Sequence, residues 1–170
     1  MQAAPNTPAP PGADALADGW QAAWSGRDPE AFAGVCAPDV HYEDPLTPDP
    51  LEGAAAIGAH ARRLWAAFPD ARLEATGPRL GDGRFLAMPC KLLATHREPL
   101  EGLPATGRFL IVHCVFYCEL SDGLLLRVRA FFDVYEAAVQ LGVLPRSGTL
   151  GEKALLALRG FGLRAGREKG

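Results

Sequence analysis

The sequence predicts an α+β domain in which one curved antiparallel sheet carries helices on one face. The first half of the chain repeats its apolar residues at helical spacing, and from about residue 70 the period changes to two. Helices first and strands afterwards is the order of an α+β layout, not of alternating βα units. No Gly-rich phosphate loop follows a strand, and "GDG" and "SDG" fall where hairpin turns belong, so no nucleotide fold is required.

The elements follow in order. Residues 13 to 25 carry Leu16, Trp20, Ala23 and Trp24 on one helical face, with Asp14 as the expected cap and Gly26 as the stop. "DPEAFAGVC" places Asp28 as N-cap and Pro29 at the first helical position of a short second helix. "VHYED" reads as a short strand closed by Pro45, and "PLTPDPLEG" as a proline-rich loop. A third helix then presents Ile57, Ala61, Leu64, Trp65 and Phe68 along one side and ends at Pro69. Four strands are expected within 70–80, 83–96, 105–120 and 124–134, joined by Gly-containing turns. A last helical turn, "YEAAVQLG", follows, and residues 148 to 165 suit one more basic amphipathic helix. The expected organisation is a disordered Pro-rich arm over 1–12, one domain over 13–145, and a C-terminal extension over 146–170.

The bulk numbers describe an ordinary globular chain, with 170 residues, 48% hydrophobic and 22% charged. A net charge of −3 gives no electrostatic case for nucleic acid or an anionic membrane. The start has neither a basic segment nor an apolar stretch, and no run of about 18 apolar residues exists. The expectation is therefore a cytoplasmic protein with no membrane or nucleic-acid partner. Cys114 and Cys118 are about 13 Å apart on an extended chain, too far to bridge, and all four cysteines read as buried free thiols in a reducing compartment.

The final hairpin raises the functional question. Positions 110, 112, 114, 116, 118 and 120 are all apolar, as are 124, 126, 128, 130, 132 and 134, while the alternate positions are mixed. Apolar must meet apolar across the hairpin, which a three-residue loop pairing Leu120 with Leu124 achieves, with Gly123 left-handed. In that register Phe131 faces His113, and His113 and Asp133 are diagonal neighbours about 7–8 Å apart. Asp133 then ends an apolar strand, either as a pocket acid or as the cap of the helix at Tyr135. The mixed face is either a cavity or the outer side of the sheet, and a bulge near Ala130 would exchange the two.

Five stretches together carry a resemblance: "YEDPLTPDPLEG", "FPDARLE", "ATHREPLEGLPATGR", "SDGLLLRVRAFFD" and "QLGVLP". Their order and spacing over about residues 14 to 145 resemble the SnoaL-like polyketide cyclases, within the nuclear transport factor 2-like superfamily. The resemblance implies a cone-shaped sheet around a deep apolar cavity, and homodimers or homotetramers built through the sheet. It implies a cofactor-free, metal-free intramolecular aldol closure on a small apolar or aromatic carbonyl compound. It maps the general acid/base to Asp133 and an assisting cavity histidine to His113. Trp24, Tyr42, Trp65, Phe68 and Phe131 are the expected substrate-binding residues. The reading thus favours an enzyme, with a non-catalytic ligand-binding or scaffold member, or a dehydratase or isomerase using the same acid, as alternatives.

Other residues are weighed against plainer roles. His41 and Glu43 share a strand face but lack a third ligand, so no metal is expected. A ketosteroid isomerase would need a second cavity acid, for which Asp44 is the candidate, although Pro45 makes it read as a strand end. His60, beside Arg62 and Arg63, is expected on the surface, and His96 in loop packing. Arg127 and Arg129 are expected to meet Glu119 across the hairpin.

Overall fold

The computed structural model describes residues 11–158. Helix α1 (Pro11–Gly26) and a 3-10 turn (Pro29–Gly34) lead into strand β1 (Cys36–Glu43). A two-residue strand β2 (Leu51–Glu52) precedes helix α2 (Ala54–Ala67). The sheet continues with β3 (Arg72–Ala75), β4 (Leu80–Gly81), β5 (Phe85–Thr95), β6 (Phe109–Ser121) and β7 (Leu124–Phe132). Helices α3 (Val134–Leu141) and α4 (Leu150–Leu158) follow. The strands form one curled, open sheet in the order β2-β1-β7-β6-β5-β3, with β4 also on β5. All pairings are antiparallel except β1 with β7. Residues 1–10, where most of the N-terminal arm is expected, and 159–170, the end of the extension, lie outside the described residues.

Helical starts follow local chemistry. The Asp28 carboxylate accepts the Glu30 N–H at 3.0 Å, and Pro29 needs no donor at the first position. Asp14 does not cap α1. The helix begins earlier, and Asp14 sits within its first turn, where its carboxylate accepts from Arg79. Gly58 lets α2 lie close on the 3-10 turn, because a Cβ there would stand 2.6 Å from the Pro29 carbonyl oxygen. The buried side of α2 is Ile57, Gly58, His60, Ala61, Trp65 and Ala67.

The alternation of β6 and β7 decides which face is inside. Leu110, Val112, Cys114, Phe116 and Cys118 are buried, as are Leu125, Val128 and Ala130. The mixed positions Ile111, Val115, Tyr117 and Phe131 are exposed, so the mixed face is the outer one.

The hairpin between these strands differs from the expected three-residue loop. Ser121 pairs with Leu124 and Leu120 with Leu125 around a two-residue Asp122-Gly123 turn. Both turn residues have positive φ, 50° and 75°, as a type I′ turn demands, and Asp-Gly is a favoured pair for it. A register shift between Glu119 and Leu120 leaves Leu126 as an extra residue, which restores apolar-to-apolar pairing. Phe131 therefore faces Val115 rather than His113.

Candidate functional site

Between the inner face of the sheet and the helices lies a cavity of about 250 Å³. Trp24 of α1, Leu64, Trp65 and Phe68 at α2, and Leu110, Val112, Cys114 and Phe116 of β6 form much of its wall. Ala130 and Phe132 of β7 and Ala137, Ala138 and Leu141 of α3 close another side. Leu46, Leu100, Leu103, Val134 and Val143 also line it, and none of these is fully buried, so they make an apolar rim.

Besides the Trp24 and Trp65 indoles and the Cys114 thiol, Tyr42 and Asp44 bring polar heads to the wall. Tyr42 faces inward because it pairs with Val128 in β7, which shares the inner face. Asp44 stands one residue past the end of β1. Its Oδ2 accepts the Tyr42 hydroxyl at 2.8 Å and lies 2.9 Å from His60 Nε2, while its Oδ1 accepts the Leu46 N–H at 2.7 Å. The Asp44 and His60 side chains are each about 2% exposed. Arg63 Nη2 donates to His60 Nδ1 at 3.1 Å. A guanidinium has only donors, so Nδ1 must accept and the His60 proton sits on Nε2, pointing at Asp44. Arg63 also reaches Glu101 of the rim loop at 3.4 Å.

The electrostatics follow from these contacts. Burial raises the Asp44 pKa, but hydrogen bonds from His60, Tyr42 and the Leu46 amide outweigh it and hold the carboxyl below its ordinary value. Tyr42 is pushed well above the usual phenol value, first by burial and then by the Asp44 charge. Burial pushes the Cys114 thiol up to about 12, which keeps it protonated and unreactive.

The site residues expected from the sequence divide between the two faces. Trp24, Tyr42, Trp65 and Phe68 line the cavity. Asp133 does not enter it: its carboxylate is exposed, and Oδ1 accepts the Glu136 N–H at 3.0 Å as N-cap of α3. His113 and Phe131 are on the outer face as well. His113 and Asp133 both border an outer groove, with Glu136 and Gln140. The reason is parity: odd positions of β6, and of β7 beyond the Leu126 bulge, point outward, and β7 ends at Phe132.

His60 is corrected in the opposite sense, from surface to core at 3% exposure. Its place on α2, one turn before Leu64 in the wall, turns it under Asp44. The sequence signal was available. Position 60 lies three residues after Ile57 and one before Ala61, on the edge of the apolar stripe. His96 packs in its loop as expected, with Nδ1 3.2 Å from Thr106 Oγ1. Arg127 approaches Glu119 at 3.9 Å, whereas Arg129 pairs with Glu43 of β1 instead. His41 stands 4.0 Å from Glu52 on the neighbouring strand. Among the described residues no group of three or more His, Cys, Asp or Glu is placed to hold a metal. No described helix is long and apolar enough to cross a membrane.

The sequence profile of the SnoaL-like polyketide cyclases matches residues 14–141. The chain belongs to that family. Solved structures agree in fold. TsrD of Streptomyces laurentii is 23% identical, with a TM-score of 0.69 over 78% of this chain and 96% of its own. A SnoaL-like protein of Jannaschia sp. CCS1 is 16% identical, with a TM-score of 0.70 over 85% and 99%. IdmH of Streptomyces antibioticus is 22% identical, with a TM-score of 0.67 over 76% and 97%. No curated protein matches the chain. In this SnoaL-like member the cavity's buried carboxylate is Asp44 of the "YEDP" stretch, not the acid that ends the last long strand.

Proposed function

We propose that this SnoaL-like protein is a cofactor-independent enzyme of carbon acids, closing a ring by intramolecular aldol addition, with Asp44 as the general acid/base. The carrying observation is the buried Asp44–His60 pair at the wall of an apolar cavity. An ionised carboxylate held dry and oriented is positioned to take a proton from carbon beside a carbonyl. The C–H electron pair becomes the enolate, and Asp44 becomes a carboxylic acid. The enolate carbon then bonds to a second carbonyl carbon of the same molecule, and the resulting alkoxide takes the proton back.

The surrounding groups fit those steps. While Asp44 is charged, the Tyr42 hydroxyl donates to it. Once Asp44 carries the substrate proton, that donor is freed to turn to the enolate oxygen. Arg63 and His60 act one step back, fixing which proton faces Asp44. Deuterium uptake at the α-carbon of 1-tetralone in D2O, followed by proton NMR, tests the first step. Wild type should catalyse uptake, Asp44→Asn should lose it by at least a hundredfold, and Asp133→Asn should keep it. Loss on Asp133→Asn with retention on Asp44→Asn would overturn the assignment.

One observation favours the plainer reading of a ligand-binding member. Both Asp44 oxygens already accept hydrogen bonds, so the carboxylate is also satisfied as a structural group. Under that reading 1-tetralone binds without any α-deuteration.

A further inference from the structure

The wall chemistry limits what fits, and the limit is sharper than the family name. Of the cavity-lining side chains, Tyr42 and Asp44 bring polar heads, and they are adjacent, bonded to each other at 2.8 Å. The Trp65 indole N–H is already spent on the Trp24 carbonyl at 3.0 Å, and the Trp24 indole N–H, which has no partner among the described residues, is itself buried. The Cys114 thiol is a weak hydrogen-bonding group, kept protonated by burial. Leu100, Leu103 and Val143 keep the rim apolar too. Among the described residues no lysine or arginine lines the cavity, and the charged side chain in its wall is the acidic Asp44.

We infer that the substrate is an uncharged, mostly hydrocarbon ring compound with its oxygen functions gathered at one end, and that anionic or polyhydroxylated aromatic compounds are excluded. This deepens the proposed function and rests on it only for which end of the molecule meets Asp44. A carboxylate or phosphate would lose its water, find no cation, and face Asp44. Each hydroxyl placed away from Tyr42 and Asp44 would be stripped of water against leucine, alanine and phenylalanine. That weakens binding on the order of tenfold per group. The hydrocarbon body gains what the polar groups lose, because Trp24, Trp65, Phe68 and Phe116 offer ring faces and edges over a volume of about 250 Å³.

Quenching of tryptophan fluorescence, with calorimetry as a second readout, tests this on four probes of similar size. They are 1-tetralone, its hydrocarbon tetralin, 1-naphthoate, and 6,7-dihydroxy-1-tetralone. We expect 1-tetralone to bind at least tenfold tighter than either 1-naphthoate or the dihydroxy compound. Because the Tyr42 hydroxyl stays on Asp44 until the proton moves, Tyr42→Phe should leave binding of both 1-tetralone and tetralin within a few-fold and slow α-deuteration of 1-tetralone instead. Equal or tighter binding of 1-naphthoate or the dihydroxy compound would overturn the inference, as would failure of all four to bind. A folded Val112→Asp variant, verified by circular dichroism, should lose tetralin. Retention there would place the probes elsewhere and also overturn it. Binding of 1-tetralone without α-deuteration leaves the substrate class standing and removes the acid/base role, so the two failures are distinct.

Discussion

At the scale of single residues, what decides the chemistry is that two aspartates exchange the environments their neighbours suggest. Asp133 ends an apolar strand yet is exposed and caps a helix, and Asp44 follows a strand into a proline-rich loop yet is buried. Asp133→Ala should therefore cost about 1 kcal/mol of stability through the lost cap and leave α-proton exchange intact, read by denaturant melts and NMR. Asp44→Asn should cost about 2–3 kcal/mol, because a charged acceptor of three hydrogen bonds is lost in a dry site. The pH dependence has a definite sign. The Asp44 pKa is lowered on folding, so its stabilisation is fully present above the unfolded value near 3.8 and is lost as pH falls through the folded value. The gap in Tm between wild type and Asp44→Asn should be constant near neutrality and close below about pH 4. For the same reason the acid limb of the exchange rate should lie below the ordinary carboxylate range. A gap that widened on acidification would contradict the hydrogen-bonded carboxylate.

At the scale of elements, the periodicities were legible and the parity was not. The stripe Ile57, Ala61, Leu64, Trp65 identified α2, and strict alternation identified β6 and β7. Alternation says that two faces differ, but not which one is roofed by helices. Asp133 and His113 were drawn to the cavity by resemblance, and the outward parity of their strands moved them out. The hairpin shows a second limit. Asp-Gly favours a two-residue turn, the apolar pattern favours odd spacing, and one bulged residue satisfies both. The parallel pairing of β1 with β7 joins residues some 86 apart in sequence, as in Glu43 with Arg129, where no local signal reaches. His60 depends on how closely α2 lies on the 3-10 turn, which Gly58 permits. Gly58→Ala should thus lower stability by about 1–3 kcal/mol despite alanine's better helix propensity, since the new methyl meets a backbone oxygen rather than a flexible side chain. If thermal melts show stabilisation instead, α2 tolerates a shift and its register over Asp44 is not tightly held.

At the scale of the whole molecule, the outer face of the sheet is left largely uncovered by the described helices, α3 reaching it at Ile111 through Gln140. Phe109, Ile111, Val115, Tyr117 and Phe131 are each between 39% and 52% exposed on neighbouring strands, more apolar surface than scattered single residues would give. The same face carries both signs of charge, with Glu119 near Arg84 and Arg127, and Arg129 beside Glu43. A mixed-sign apolar sheet face suits a second copy related by a two-fold axis, where each patch meets itself with rows of opposite charge in register. We propose that the chain self-associates through this face. Light scattering should then give about twice the 18.1 kDa chain mass or a multiple of it. Val115→Glu with Phe131→Glu should shift the protein to monomer, because buried like charges are added on both sides of the axis. Neither residue touches the cavity, so 1-tetralone binding should persist in the monomer within a few-fold. A wild-type monomer at high micromolar concentration would show that the apolar face stands in water on its own. Loss of binding on dissociation would show that the partner shapes the cavity through β6 and β7, whose inner residues form its wall.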